Sequence, residues 1–222
     1  MEQILEQFLN FDIMLKVSPL LLRGLLTTLY LCALVVPLGL IGGLGVALSS
    51  LSSCALVRWT GIVLVDLFRA APPLVLLILL YSGLPFAGIE LTPTAAVCVA
   101  FFLNSSSYYG EIYRAGIESV GRGQWEAARS TGLGTLRTLG WVVLPQAVRN
   151  VLPDLLSNTI EVVKLTSIAS VVSFPELLYS ADMARSLTFN SSPVMLAAIV
   201  YVAMLWPLVR LVSRLERGVG AH

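Results

Sequence analysis

Residues 18–48 carry a single charged side chain, Arg23, and this stretch decides most of what the chain can become. About 20 predominantly apolar residues already cross a bilayer, so a run this long has no place in a water-soluble core. Four further apolar segments follow, near residues 60–82, 93–113, 151–173 and 194–212. Of the 222 residues, 57% are hydrophobic and 12% charged, where an ordinary soluble domain carries roughly 25% charge. There is too little charge to clothe a soluble fold. The expected class is an all-α polytopic membrane protein with about five transmembrane helices. Soluble, disordered, coiled-coil and nucleic-acid-binding readings fall away together.

Ser18-Pro19 offers a start for the first span, since proline at the first helical position loses no hydrogen bond. Residues 1–17 then form an acidic, amphipathic N-terminal segment, unlike the basic start of a cleaved signal peptide. The first span exceeds the bilayer and is expected to tilt, kink near Pro37, or protrude. Gly39 and Gly43 give the small-xxx-small spacing that lets helices approach closely. Orientation follows from the basic residues of the loops. Loops 49–59, 114–150 and 213–222 hold Arg58, Arg114, Arg122, Arg129, Arg137, Arg149, Arg214 and Arg217; loops 1–17, 83–92 and 174–193 hold Lys16 and Arg185. The N-terminus is therefore expected outside and the C-terminus in the cytoplasm.

Cys32, Cys54 and Cys98 form no CxxC pair and read as small buried hydrophobes. The lone histidine, His222, removes histidine-based hydrolysis and histidine metal ligation. No carboxylate or cysteine cluster has metal spacing, so neither a catalytic residue nor a metal site is expected.

The loop 114–150 is the one inner loop large enough to be a structural element. Trp125, Ala128, Arg129 and Gly132 fall at i, i+3, i+4 and i+7, one face of a short helix. Gly132 permits a sharp exit. Leu133, Leu136 and Leu139-Gly140 suggest a second short helix that Leu144-Pro145 stops. Such a helix–glycine–helix element is either a docking platform for a cytoplasmic partner or an interfacial helix lying on lipid.

Ionisable groups within spans are costly unless paired or hydrated, so each is a candidate for function. The fourth span presents Asp154, Ser157, Asn158, Glu161 and Lys164 at i, i+3, i+4, i+7 and i+10, one polar stripe. Glu161 and Lys164 can neutralise each other, or meet the ammonium and carboxylate of a zwitterion. In the second span Asp66 and Arg69 stand at i and i+3 and read as an ion pair. Pro72-Pro73 follows and should bend the helix. Asn104-Ser105-Ser106-Ser107 in the third span either packs helices tightly or wets a pathway. Glu111 and Arg114 read as a structural pair beneath the loop.

Glu126-Ala127-Ala128, then Gly132, then Val142, Leu144 and Pro145 resemble the EAA-xxx-G-(x)9-I-x-LP signature of ABC importer permeases, with valine for the usual isoleucine. The likeness extends to the polar amino acid branch through Leu22–Leu29, Phe68-Arg69, Tyr81–Pro85, Glu111–Val120, Arg122–Trp125 and Thr166–Val171. It implies a permease domain over 18–222 with an EAA coupling loop at 114–150, sitting in a bacterial inner membrane. It implies docking on an ATPase through Trp125, Glu126, Ala127, Ala128, Arg129 and Gly132. It also implies a second permease subunit, two cytoplasmic ATP-binding subunits that hold the ATP and Mg²⁺, and an extracytoplasmic solute-binding protein. This sequence has no GxxxxGK[ST] phosphate loop, so no cofactor is expected on this chain. The solute would be a polar amino acid or derivative, passing Ser157, Asn158, Glu161, Lys164 and Leu165. Relatives that move cationic amino acids place acidic side chains at the positions of Asn158 and Leu165, which argues against a strictly cationic solute. An ion-coupled secondary transporter of small polar solutes is the alternative. It fits less well, because five spans without an internal repeat are few for such a carrier.

Overall fold

The computed structural model describes residues 2–219. The terminal His222 lies outside them. Among the described residues there is no strand: α1 (Glu2–Phe8) and α2 (Phe11–Ser50) are followed by α3 (Ala55–Ala70), α4 (Pro73–Ile78), α5 (Pro93–Ser119), α6 (Arg122–Ser130), α7 (Thr135–Thr138), α8 (Leu144–Asn150), α9 (Leu152–Leu165), α10 (Leu177–Thr188) and α11 (Ser192–Val219). Short π turns cover Leu79–Gly83 and Leu139–Val143, and 3-10 turns cover Leu84–Ala87 and Thr166–Val172.

The first span does not begin at Ser18-Pro19. Helix α2 starts at Phe11 and runs through both residues. Pro19 has no N–H for the carbonyl of Leu15, and the Ser18 hydroxyl donates to that carbonyl instead, at 2.8 Å. The proline's missing bond is thus replaced locally and the helix continues. The acidic segment 1–17 is accordingly α1 plus the first turns of α2. Helix α1 is tied to the turn before α11 by Asn190 Nδ2 donating to the Glu6 carbonyl and Ser191 N to that of Gln7.

The second span is broken at its prolines, as the double proline predicts. Ala71 and Pro72 are extended (ψ 124° and 128°) between α3 and α4. Among the described residues, three helices are long and apolar enough to cross a membrane, within Leu5–Ser50, Leu152–Val172 and Ser192–Leu215, or four if the broken pair α3–α4 is one span. Helix α5 is 27 residues long but falls short of that apolarity, because Asn104–Ser107 sit in its middle. All four of those polar residues are buried, facing protein. The fourth apolar segment finishes as a 3-10 turn, and the fifth runs longer than expected as α11.

The chain divides into two compact units. One unit combines the N-terminal segment through Val36 with Pro72–Phe101 and Ile160–Arg210. Its core packs Val17 and Leu21 of α2, Leu177, Ala181 and Ala184 of α10, and Ala197 of α11. The stretch 174–193, read from sequence as an outer loop, is therefore mostly a helix set into this core. The other unit combines Pro37–Ala71, Phe102–Thr159 and the chain from Leu211. Here α2 and α5 touch backbone to backbone: a Cβ on Gly39 would lie 2.9 Å from Ser105 Cβ, and one on Gly43 would lie 2.5 Å from Tyr109 Cβ. The small-residue spacing thus serves a contact inside this chain.

Candidate functional site

The loop expected to couple is built around α6. Its C-terminus is closed three ways: Ser130 Oγ donates to the Ala127 carbonyl at 2.8 Å, Thr131 Oγ1 to that of Ala128 at 2.7 Å, and Gly132 N to that of Arg129 at 3.0 Å. Gly132 has φ +87°, a left-handed conformation that glycine adopts without steric cost. Trp125 packs inward against the cluster of Ile117, Val120, Val143 and Ala147, and Ala128 is also buried. Glu126, Ala127, Arg129 and Gly132 are left exposed. The six residues expected to dock thus divide into two anchors and four that face outward.

Leu144-Pro145 does not stop the second short helix but opens α8. The π turn Leu139–Val143 precedes it, and its wider i→i+5 closure carries the chain into the proline without a break. Helix α8 is fastened by Gln146 Nε2, which donates to the Val142 carbonyl at 2.7 Å, and by Asn150 Nδ2, which donates to Ser119 Oγ at 2.8 Å. Leu136 and Trp141 stand out from this element, 84% and 78% exposed.

Arg114, at the end of α5, bonds Glu111 at 2.6 Å and Glu118 at 2.7 Å. With Asp66 these groups line a cavity of about 340 Å³. No ion pair joins Asp66 to Arg69. Arg69 instead lies over the Tyr108 ring, 5.4 Å from its centre, so the i, i+3 spacing alone misassigned this pair.

The polar stripe of α9 is on one helix, as its spacing requires. Glu161 and Lys164 are bonded to each other, yet their side chains remain 66% and 49% exposed. Ser157, Asn158 and Leu165 are half-buried. Asn158 Nδ2 is enclosed, and the Asn158 side chain interacts with the Tyr109 hydroxyl. The neighbouring Thr159 exchanges a 2.8 Å hydrogen bond with the fully buried Tyr109. Lys164 and Ser167 form one wall of a largely apolar cavity of about 390 Å³, and Tyr201 and Trp206 form another. Among the described residues, no group of acidic, cysteine or histidine side chains has the arrangement of a metal site.

Sequence reasoning missed Glu176, which is fully buried and caps α10. Burial pushes its carboxyl up from the ordinary range, against opposing hydrogen bonds from the Leu178 and Tyr179 amides and the Tyr201 hydroxyl. Pro175-Glu176 before Leu177, Ala181 and Ala184, an i, i+4, i+7 stripe, was the available signal.

Comparison with known proteins places these features in context. The family model described as "Binding-protein-dependent transport system inner membrane component" matches residues 36–221. The probable amino-acid ABC transporter permease protein YckA of Bacillus subtilis is 34% identical over 200 residues, covering 90% of this chain and 88% of that protein. A crystal structure of an amino acid ABC transporter with histidines has a chain 37% identical to this one, with a TM-score of 0.86 over 94% of this chain and 98% of that one. An inward-facing MetNI methionine transporter, at 20% identity, shares the fold with a TM-score of 0.73 over 91% of this chain and 97% of that one.

Proposed function

Because the chain belongs to the family of binding-protein-dependent transport system inner membrane components, we propose that it is the permease subunit of an ATP-driven importer of polar amino acids or their derivatives. It forms half of the translocation path in a bacterial inner membrane, with its N-terminus outside and its C-terminus in the cytoplasm. The other half is an identical or paralogous permease. Two cytoplasmic subunits bind ATP and Mg²⁺, and an extracytoplasmic binding protein delivers the solute.

The observation that carries this reading is the form of α6. Trp125 and Ala128 anchor the helix to its own subunit, while Glu126, Ala127 and Arg129 face away and Gly132 fixes the exit. A small, alanine-bearing helix face held rigidly from behind suits insertion into a cleft on a partner. An interfacial helix would instead turn its apolar side to lipid, and here that side is occupied by the protein. Along α9 the stripe supplies the solute path: opposite charges at Glu161 and Lys164 suit a zwitterion better than a bare cation.

The test is purification from the native host followed by reconstitution with the co-purifying subunits. An ATPase subunit should come down with this chain, and polar amino acids should stimulate ATP hydrolysis in the presence of the binding protein. Uptake driven by an ion gradient, without nucleotide, would replace this reading with that of a secondary carrier.

A further inference from the structure

The carboxylate of Glu176 sits where two jobs meet. Its own backbone starts α10, and its side chain serves the first turn: Oε2 accepts from Leu178 N at 2.8 Å and Oε1 from Tyr179 N at 2.6 Å. The amide of Leu177 is taken by Thr28 Oγ1 of α2 at 3.1 Å, and that of Ser180 by the Glu176 carbonyl at 3.0 Å. The otherwise unpaired amides of the helix start are thereby satisfied. A cap alone does not call for glutamate, since serine, threonine, asparagine and the shorter aspartate are the favoured residues there.

The additional methylene gives reach. Oε2 also accepts from the Tyr201 hydroxyl of α11 at 2.8 Å. Tyr201 in turn stands in the wall of the cavity shared with Lys164 and Ser167. Among the described residues no cation pairs with Glu176, so this buried carboxylate depends on these three donors. Removing any one of them leaves a buried acceptor less satisfied, which is costly for a charged group.

We propose that Glu176 is a positioning residue for solute passage: through Tyr201 it sets the wall of the Lys164–Ser167 cavity, and through its cap it ties that wall to α10. The proposal rests on the importer reading, because the cavity matters to transport only if solute passes along α9. Glu176 touches no solute itself. It acts by holding a hydroxyl in place and by making α10 and the cavity wall move as one body.

The test uses the full transporter in proteoliposomes, with a saturable amino acid as the probe. Tyr201→Phe removes only the hydroxyl. Glu176→Asp keeps a carboxylate and a favoured cap but withdraws the reach. Each should raise the half-saturating solute concentration about tenfold, the scale of one hydrogen bond to a charged group. The double variant should be no worse than Tyr201→Phe alone, since that change already removes the link to Glu176 together with the hydroxyl's contacts to Thr28 and Thr166. Glu176→Gln keeps the reach: with its oxygen toward Leu178 N and the Tyr201 hydroxyl it gives up only the Tyr179 contact, so it should raise half-saturation less than Glu176→Asp does. Hydrogen exchange at the amides of Leu178 and Tyr179 should stay slow in Tyr201→Phe, whose cap is intact. Unaltered half-saturation in both single variants would overturn the proposal and leave Glu176 as a helix cap. Loss of α10 protection in Tyr201→Phe, with only the amount of folded protein changed, would do the same. If the unaltered transporter shows no saturable amino-acid uptake, the importer reading itself fails and this inference falls with it.

Discussion

Replacing Gly43 by alanine adds one methyl group where there is no room for it. The new Cβ would lie 2.5 Å from Tyr109 Cβ, 2.9 Å from the amide nitrogen of Gly110 and 3.0 Å from the Tyr109 carbonyl carbon. Carbon atoms rest at about 3.5–4.0 Å, so α2 and α5 must part by roughly 1 Å. No side-chain rotation relieves this, because two of the three atoms are backbone. Tyr109 is fully buried, and its 2.8 Å bond to Thr159 moves with α5. Overpacking of this kind costs about 1–3 kcal/mol, and the lost hydrogen bond adds about 1 kcal/mol. A total of about 2–4 kcal/mol lowers the melting temperature of a chain this size by roughly 4–16 °C. Gly45, two residues further along the same helix, has nothing within 4 Å of its notional Cβ. Gly45→Ala should therefore be neutral or slightly stabilising, because alanine favours helix over glycine. Melting of both purified variants in one detergent decides the matter. If Gly43→Ala melts with Gly45→Ala, the close contact of α2 and α5 is not what these glycines are for.

Gly132→Asp adds a Cβ and a negative charge at a left-handed position, at a strain of about 1 kcal/mol; coupled uptake should be lost while the protein stays in the membrane, as uptake and membrane immunoblots will show. Combining Glu161→Gln with Lys164→Met removes both charges together; retained uptake with unchanged solute preference would mean that the pair only neutralises itself, whereas an engaged site should show a raised half-saturating concentration. Thr159→Val takes away one of the two partners of the buried Tyr109 hydroxyl, the other being the Asn158 side chain, and should destabilise by about 1 kcal/mol, read as a lowered melting temperature. Reporter fusions should place the N-terminus outside and the C-terminus inside, and a loop 122–137 labelled only from outside would reverse the assigned topology.

Features encoded within a few residues were legible in the sequence. The glycine at the end of α6, the stripe on α9 and the break at Pro72-Pro73 each depend on local spacing or on a residue's own backbone limits. Features set by tertiary partners were not. Ser18-Pro19 looks like a helix start because the sequence does not say that the serine hydroxyl covers the carbonyl the proline abandons. Asp66 and Arg69 have the spacing of an ion pair, but the ring of Tyr108, 39 positions further on, takes the guanidinium. Trp125 and Ala128 shared a helical face with Arg129 and Gly132, and only the cluster behind α6 divides that face between anchor and exposed surface. Helix α10 escaped notice because Ser180, Ala181 and Ala184 make up most of its buried residues, and small residues are a weak mark of burial.

The π turn at Leu139–Val143 stores one surplus residue. An ordinary helical turn closes i→i+4, and this one closes i→i+5, so a chain one residue shorter here would rejoin the same helix with its downstream faces unmoved. Ala147 would still point at Ile117 and Val120. The same deletion inside α6 would swing everything after it by about 100°, the angle of one residue in a helix of 3.6 per turn, and would carry Arg129 away from its exposed position. A length change is therefore tolerable within the π turn and ruinous inside α6, and the spacing from Gly132 to Val142 measures a path whose slack is confined to a single turn.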